Sequence, residues 1–128
     1  DHSGQADAIE LCKTATAGLS DGEHPTRWII ELNLIELHLT GHGVIDLKCG
    51  GAIVRWNSLV DSPGGRIDAR NGPSNEVVAN WIEIAGGMSV HSTYHLVLGN
   101  YLTDTGGIRI MAGTVAWDFP RDPPPDPG

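Results

Sequence analysis

The chain has 128 residues and a formal net charge of −8, from 16 acidic and 8 basic residues. This length suits one ordinary domain. The negative charge argues against nucleic acid and against an anionic membrane surface as partners, because both require a basic protein surface. Only 19% of the residues are charged and 17 are glycine. This composition is typical of strands and tight turns rather than of a helical bundle.

The two ends of the chain differ in composition from the middle. Residues 1–7 are polar, and we expect a disordered N-terminus there. Residues 119–128 are rich in proline, which excludes helix and ladder pairing, so we expect an extended C-terminal tail. A single β domain is expected over residues 8–118, in which no repeat of the sequence is apparent. The chain begins at Asp1 rather than Met, which fits removal of a signal peptide and trimming equally well.

The first apolar segment, residues 8–17, fits a short helix and a first strand equally well, because so short a segment cannot be classified by its period alone. It contains Cys12, and Cys49 is the other cysteine of the chain. Two cysteines in a small, exported domain favour one disulfide, and the alternative is two unrelated buried thiols. A disulfide predicts a secreted or extracytoplasmic protein.

Turn sequences rich in glycine, proline, asparagine and aspartate separate short segments rich in β-branched and aromatic residues. Short connections between successive strands favour antiparallel neighbours, and hence an up-and-down meander. Closure into a small β-barrel of lipocalin-like architecture, or into a sandwich, would remove the exposed edges. The sequence therefore predicts an all-β, mostly antiparallel domain. Its expected strands cover residues 28–40, 44–56, 66–70, 76–85, 88–100 and 107–118.

Alternation within two strands predicts which side chains face the core. Ile45, Leu47 and Cys49 alternate with charged residues, so we expect all three to point inward. In the first long strand the alternation breaks at Leu34-Ile35. A β-bulge at that point would keep Glu36 and the histidine two residues later on one side of the strand.

Four histidines form two H-x-x-x-H pairs, His38 with His42 and His91 with His95. On a strand, positions i and i+4 share a face but lie about 13 Å apart, so one pair cannot bind one metal. We expect no metal and no cofactor. His38, His91 and His95, with Glu36, are the predicted catalytic residues, because an imidazole oriented by a carboxylate can transfer protons near neutral pH. The alternative is that these residues form an outward polar surface.

Aromatic residues lie in or near the ends of the expected strands. In a barrel they would form the apolar wall of a ligand cavity, and the alternative is that they only fill the core or the rim. The expected ligand-binding residues are Trp28, Trp56, Trp81, Tyr94 and Trp117.

These features predict a small-molecule-binding β-barrel that carries out cofactor-free acid–base chemistry of the isomerase, cyclase or dehydratase (lyase) type. The expected partner is a small apolar or amphipathic molecule, and homo-oligomerisation is left open. The alternatives are a non-catalytic ligand carrier and a secreted interaction module. The sequence has no dinucleotide-binding glycine motif, no phosphate-binding loop and no nucleophile-elbow motif.

Overall fold

The computed structural model describes residues 8–12, 27–39, 43–70, 72–91 and 94–111. The two predicted tails, His42 and Trp117 lie outside these residues. All regular structure in the described part is β. The strands are β1 (Ile9–Leu11), β2 (Ile29–Glu31), β3 (Leu34–Glu36), β4 (Gly43–Leu47), β5 (Ile53–Arg55), β6 (Ser58–Ala69), β7 (Glu76–Val78), β8 (Trp81–His91), β9 (Leu96–Leu98), β10 (Tyr101–Thr105) and β11 (Ile108–Met111).

Every strand pair among the described residues is parallel. The chain winds into coils that stack along one axis, which is a β-solenoid. The predicted antiparallel meander is therefore wrong, and so are its closure into a lipocalin-like barrel and the sandwich. At each corner the chain turns onto the next face of the same coil instead of reversing. Each strand consequently pairs with the equivalent strand one coil away.

Each coil has three faces. The first face contains β2, β5, β7 and β9. The second face contains β3, the beginning of β6, the beginning of β8, and β10. The third face contains β1, β4, the ends of β6 and β8, and β11. We number the coils from β2 onward: β2–β4 form the first, β5–β6 the second, β7–β8 the third and β9–β11 the fourth.

An asparagine occupies the corner between the first and second faces on every coil. Asn33, Asn57, Asn80 and Asn100 follow one another at intervals of 24, 23 and 20 residues. Each Nδ2 donates to the Oδ1 of the next asparagine, at 2.9, 3.0 and 2.9 Å. The chain is therefore repetitive, against the expectation of no repeat. This asparagine ladder satisfies polar groups that the corner buries.

The residue before each of these asparagines has a left-handed backbone, which turns the chain at the corner. Its φ is 59° at Leu32 and 55° at Trp56. β2 ends at Glu31 and β3 begins at Leu34. The break in alternation at Leu34-Ile35 thus results from the first corner of the solenoid, at Leu32-Asn33, and the predicted bulge is wrong.

Apolar side chains of equivalent positions stack in columns inside the coils, and they form one core. Ile45, Leu47 and Cys49 are 1%, 0% and 3% exposed, so the prediction that they face inward is confirmed. The inward columns are Ile30, Val54, Val77 and Val97 on the first face, Ile35, Leu59, Ile82 and Leu102 on the second, and Ile9, Ile45, Ile67 and Met88 on the third.

The N-terminal segment is tied to the first coil by a disulfide. Cys12 and Cys49 are bonded, with their Cα atoms 5.8 Å apart, which confirms the predicted pairing. The described part of the first segment is the strand β1, so the helical alternative does not hold for residues 9–11. The disulfide is compatible with an extracellular location. No helix in the described ranges is long and apolar enough to cross a membrane.

Candidate functional site on the third face

The outward side of the third face carries a dense set of polar side chains, which we call the polar face. Strand alternation places them there, because their neighbours point into the core. Asp46 is 0% and Asp68 is 1% exposed, although both point outward. Buried carboxylates of this kind require ionic or hydrogen-bonding partners. The polar face consists of Glu10, Asp46, Lys48, Arg66, Asp68, Arg70, Ser89, His91 and Arg109.

The N-terminal half of the polar face neutralises its own charges. Asp46 accepts hydrogen bonds from Nε of Arg70, at 2.8 Å, and from Nη2 of the same guanidinium. Lys48 Nζ lies 2.9 Å from Glu10 Oε1 and 3.5 Å from Asp46 Oδ2. Burial alone would lower the pKa of Lys48, but the hydrogen bond that Lys48 donates to Glu10 and the charges of the Asp46 and Glu10 carboxylates outweigh it, so the pKa is raised. This half is therefore an ionic network with internal partners.

The C-terminal half carries an excess of positive charge. Asp68, Ser89 and Arg109 occupy the same position on the second, third and fourth coils. Arg66 Nε binds Asp68 Oδ1 at 2.6 Å. Arg109 is exposed and forms no ion pair with another described residue. Ser89 thus lies between a paired carboxylate and an arginine that has no carboxylate partner in the described part of the chain.

Ser89 and His91 form a buried pair beside this arginine. Ser89 Oγ lies 2.7 Å from His91 Nε2, and the two residues are 5% and 7% exposed. Burial lowers the pKa of His91, the charge of Asp68 opposes this effect, and the charges of three arginines reinforce it. The imidazole is therefore neutral at neutral pH. A neutral imidazole in contact with a hydroxyl can accept a proton.

A pocket of about 170 Å³ adjoins this pair. Its base is backbone, because glycines form the corner between the second and third faces. A Cβ at Gly86 would lie 2.8 Å from the carbonyl oxygen of Gly65, and one at Gly106 would lie 2.7 Å from that of Gly86. The volume accommodates about five waters at ~30 Å³ each, so it suits a small group. The lining residues are Arg66, Gly86, Met88, Ser89, Gly106 and Arg109.

A larger and more apolar pocket of about 480 Å³ lies at the last coil. His95 lines it, but both ring nitrogens are engaged: Nδ1 accepts the Asn75 N–H at 3.1 Å, and Nε2 contacts the carbonyl oxygen of His91. This pocket therefore offers mainly apolar contacts. Its lining residues are Val90, Tyr94, His95, Val97, Ile108 and Ile110.

The structure does not bring His38 and Glu36 to His91, and His95 contacts His91 through the His91 carbonyl oxygen. β8 ends at His91 and β9 begins at Leu96, so no continuous strand carries both His91 and His95 on one side. His38 follows β3 on the first coil, where its backbone N–H binds Ser62 Oγ at 3.0 Å. Glu36 is exposed on the second face. The first and third coils are separated by two strand spacings, about 9.6 Å, which keeps His38 and Glu36 away from His91.

Among the described residues, the predicted aromatic wall is not formed, because a solenoid has no barrel interior, and Trp117 lies outside those residues. Trp28, Trp56 and Trp81 lie on the outside of the coils and are 56%, 51% and 45% exposed. Tyr94 lines the larger pocket, but it is 86% exposed.

Sequence reasoning missed Arg66, Asp68, Ser89 and Arg109. One signal could have found Ser89 and Arg109: a glycine pair recurs at residues 64–65, 86–87 and 106–107, each time just before the residues of the third face. Aligning these pairs brings Ser89 and Arg109 to the same position, because each lies two residues after its glycine pair.

No three His, Cys, Asp or Glu side chains within the described ranges are grouped so that they could hold a metal ion. No protein-family model matches the sequence, and comparisons with curated proteins and with solved structures gave no match. A functional assignment therefore depends on the geometry of the site.

Proposed function

We propose that this chain is a small-molecule-binding protein that holds an anionic group in the pocket on its third face, which residues of its second, third and fourth coils line. One observation carries the proposal: two arginines, a serine hydroxyl and bare glycine backbone converge on a space of about 170 Å³. The chain as a whole carries a net charge of −8, so a pocket lined by two arginines differs in charge from the protein as a whole. An extracellular setting, with which the disulfide is compatible, belongs to the same proposal.

The pocket chemistry suits a carboxylate, phosphate or sulfate group. A guanidinium presents a planar set of donors that matches the oxygens of these anions. Arg66 is held by Asp68, so part of the entropic cost of ordering its side chain is already met before a ligand binds. When Nε2 of His91 carries the ring proton, it donates to Ser89 Oγ and leaves the hydroxyl proton directed at the ligand.

Calorimetric titration with inorganic phosphate and with malonate tests the proposal. We expect Arg109→Gln to weaken binding of the better probe by about 10–100-fold, the usual effect of losing a charged hydrogen bond. Arg27→Gln is the matched control, since Arg27 is exposed at the start of the first coil and does not line the pocket. Absence of binding to the wild-type protein, or equal binding by Arg109→Gln, would contradict the proposal.

A second candidate is acid–base chemistry on the bound molecule, without a cofactor, of the isomerase, cyclase or dehydratase type. The specific observation that favours it is the contact between Ser89 and a His91 imidazole whose pKa is lowered. A bound anion beside this imidazole should raise its pKa again. Proton NMR titration of His91, assigned with His91→Gln, should show this rise in saturating phosphate. An unchanged pKa would place the bound anion too far from His91 for proton transfer.

A further inference from the structure

The outward side of the second face is acidic and aromatic. Together with the corner that follows it on each coil, it spans residues 34–37, 58–61, 81–84 and 101–104, and these contain no basic residue. None of its carboxylates forms an ion pair with another residue in the described ranges. We call this surface the acidic face. Its carboxylates are Glu36, Asp61, Glu83 and Asp104.

A pair of aromatic side chains lies on the last two coils of the acidic face. The rings of Trp81 and Tyr101 stack, with centroids 4.1 Å apart and an angle of 24° between their planes. Trp81 Nε1 donates to Glu83 Oε2 at 3.0 Å, which holds the indole beside a carboxylate. At the same position one coil earlier the residue is Ser58, and one coil before that it is Leu34. Tyr101 covers one side of the indole, but Ser58 is too small to cover the other.

The chain itself shows which group suits such a surface. At the neighbouring corner the Arg55 guanidinium lies over the Trp56 ring, 4.4 Å from its centroid. The same guanidinium binds Glu31, with Nε 2.7 Å from Oε2. An indole and a carboxylate therefore hold an arginine there. The acidic face offers an indole and carboxylates in the same way, but none of its own residues supplies the cation.

We propose that the acidic face is a docking surface for an arginine-bearing peptide segment. One guanidinium stacks on the open side of Trp81, above Ser58, and pairs with Glu83. Arginine fits better than lysine, because a planar guanidinium can stack on a ring and bind a carboxylate through two nitrogens together. Glu36 lies two coils from Glu83, about 9.6 Å away, a distance that three residues of a polyproline II peptide span at about 3.1 Å each, with side chains i and i+3 on the same side. A second arginine three positions along therefore reaches Glu36.

Fluorescence anisotropy with a labelled Arg-Gly-Gly-Arg peptide tests this inference. Substituting citrulline for arginine keeps the shape and removes the charge, and it should abolish binding. Glu83→Gln should weaken binding about 3–10-fold, as expected for one partly exposed charged contact. Ser58→Phe should weaken it as well, by filling the space beside Trp81. Glu76→Gln is the matched control, because Glu76 is an exposed carboxylate on the first face.

Four outcomes would overturn the inference. Equal binding of the citrulline peptide would exclude recognition of the charge. Equal binding of a Lys-Gly-Gly-Lys peptide would reduce it to general attraction between opposite charges. Binding of free arginine amide as tight as that of the peptide would make the surface a site for small cations. Retained affinity in both Glu83→Gln and Ser58→Phe would place any binding elsewhere on the protein.

Discussion

The asparagine ladder predicts that one amide side chain stabilises two coils at once. Asn57 Oδ1 accepts from the backbone N–H of Asn33 at 3.1 Å and from its Nδ2 at 2.9 Å. Asn57 Nδ2 donates to Asn80 Oδ1 at 3.0 Å and to the carbonyl oxygens of Ile30 and Arg55 at 2.9 and 3.1 Å. Asn57→Ala removes all five hydrogen bonds and leaves buried donors and acceptors without partners.

The expected loss of stability follows from these hydrogen bonds. Two Nδ2 protons serve three acceptors, so the five contacts count as about four hydrogen bonds, each worth about 1 kcal/mol net. Asn57→Ala should therefore lower the free energy of unfolding by about 3–5 kcal/mol. Asn33 is at the end of the ladder, where its side chain donates, within the described part of the chain, to Glu31 O and Asn57 Oδ1. Asn33→Ala should cost about 1–2 kcal/mol by the same reasoning.

Equilibrium unfolding in urea measures both values, and a folded domain of this size has only about 5–15 kcal/mol in total. Asn57→Ala should therefore shift the midpoint markedly, and Asn33→Ala should shift it much less. If the two variants lost the same free energy, or if Asn57→Ala lost less than about 1 kcal/mol, the asparagine would not connect the coils as described.

Three further effects on stability follow from the structure. The folded state lowers the pKa of His91 below the value of about 6.5 expected in the unfolded chain, so the unfolded chain binds more protons and stability should fall as pH drops from 6.5 towards 5. Urea unfolding across this pH range should show a smaller fall in stability for His91→Gln. An equal fall would count against a buried His91 imidazole. Gly87 has a φ of 89° and a Cβ there would lie 2.2 Å from Gly107 O. Gly87→Ala should thus lower the free energy of unfolding by at least ~2 kcal/mol. Gly99 has a φ of 64°, and a Cβ there would have no atom within 4 Å, so Gly99→Ala should lower it by only ~1 kcal/mol. Thermal unfolding compares the two variants. Replacing Cys12 and Cys49 by serine should lower stability by about 2–4 kcal/mol, since the bridge spans 37 residues, and an unchanged unfolding midpoint would refute that role.

Local chemistry was sufficient to predict the β class, the disulfide and the inward direction of Ile45, Leu47 and Cys49. Strand direction was not predictable in the same way. A glycine pair such as Gly86-Gly87 permits a reversing hairpin, and it equally permits a corner that continues the same coil. Only the spacing of asparagines and glycine pairs at about one coil length separates these alternatives, and a search for turn types does not detect spacing.

The candidate site was difficult to predict because its residues come from three different coils. Arg66, Ser89 and Arg109 are more than 19 residues apart in pairs along the chain, and no short motif links them. The prediction favoured His91 and His95 because alternation was extended through residues that do not belong to one strand. His91 does lie in the candidate site, where its partner is Ser89.

The candidate site exists only if the coils are parallel and in register. NMR measurement of NOEs from methyl groups tests this parallel arrangement most directly. The parallel solenoid predicts NOEs from Ile82 to both Leu59 and Leu102, its neighbours in the inward column of the second face. That register is also the one that brings Arg109 beside Ser89. A reversing hairpin at Gly86-Gly87 would instead place Ile82 opposite His91. An NOE between Ile82 and His91, with none to Leu59 or Leu102, would contradict the solenoid and the pocket that depends on it.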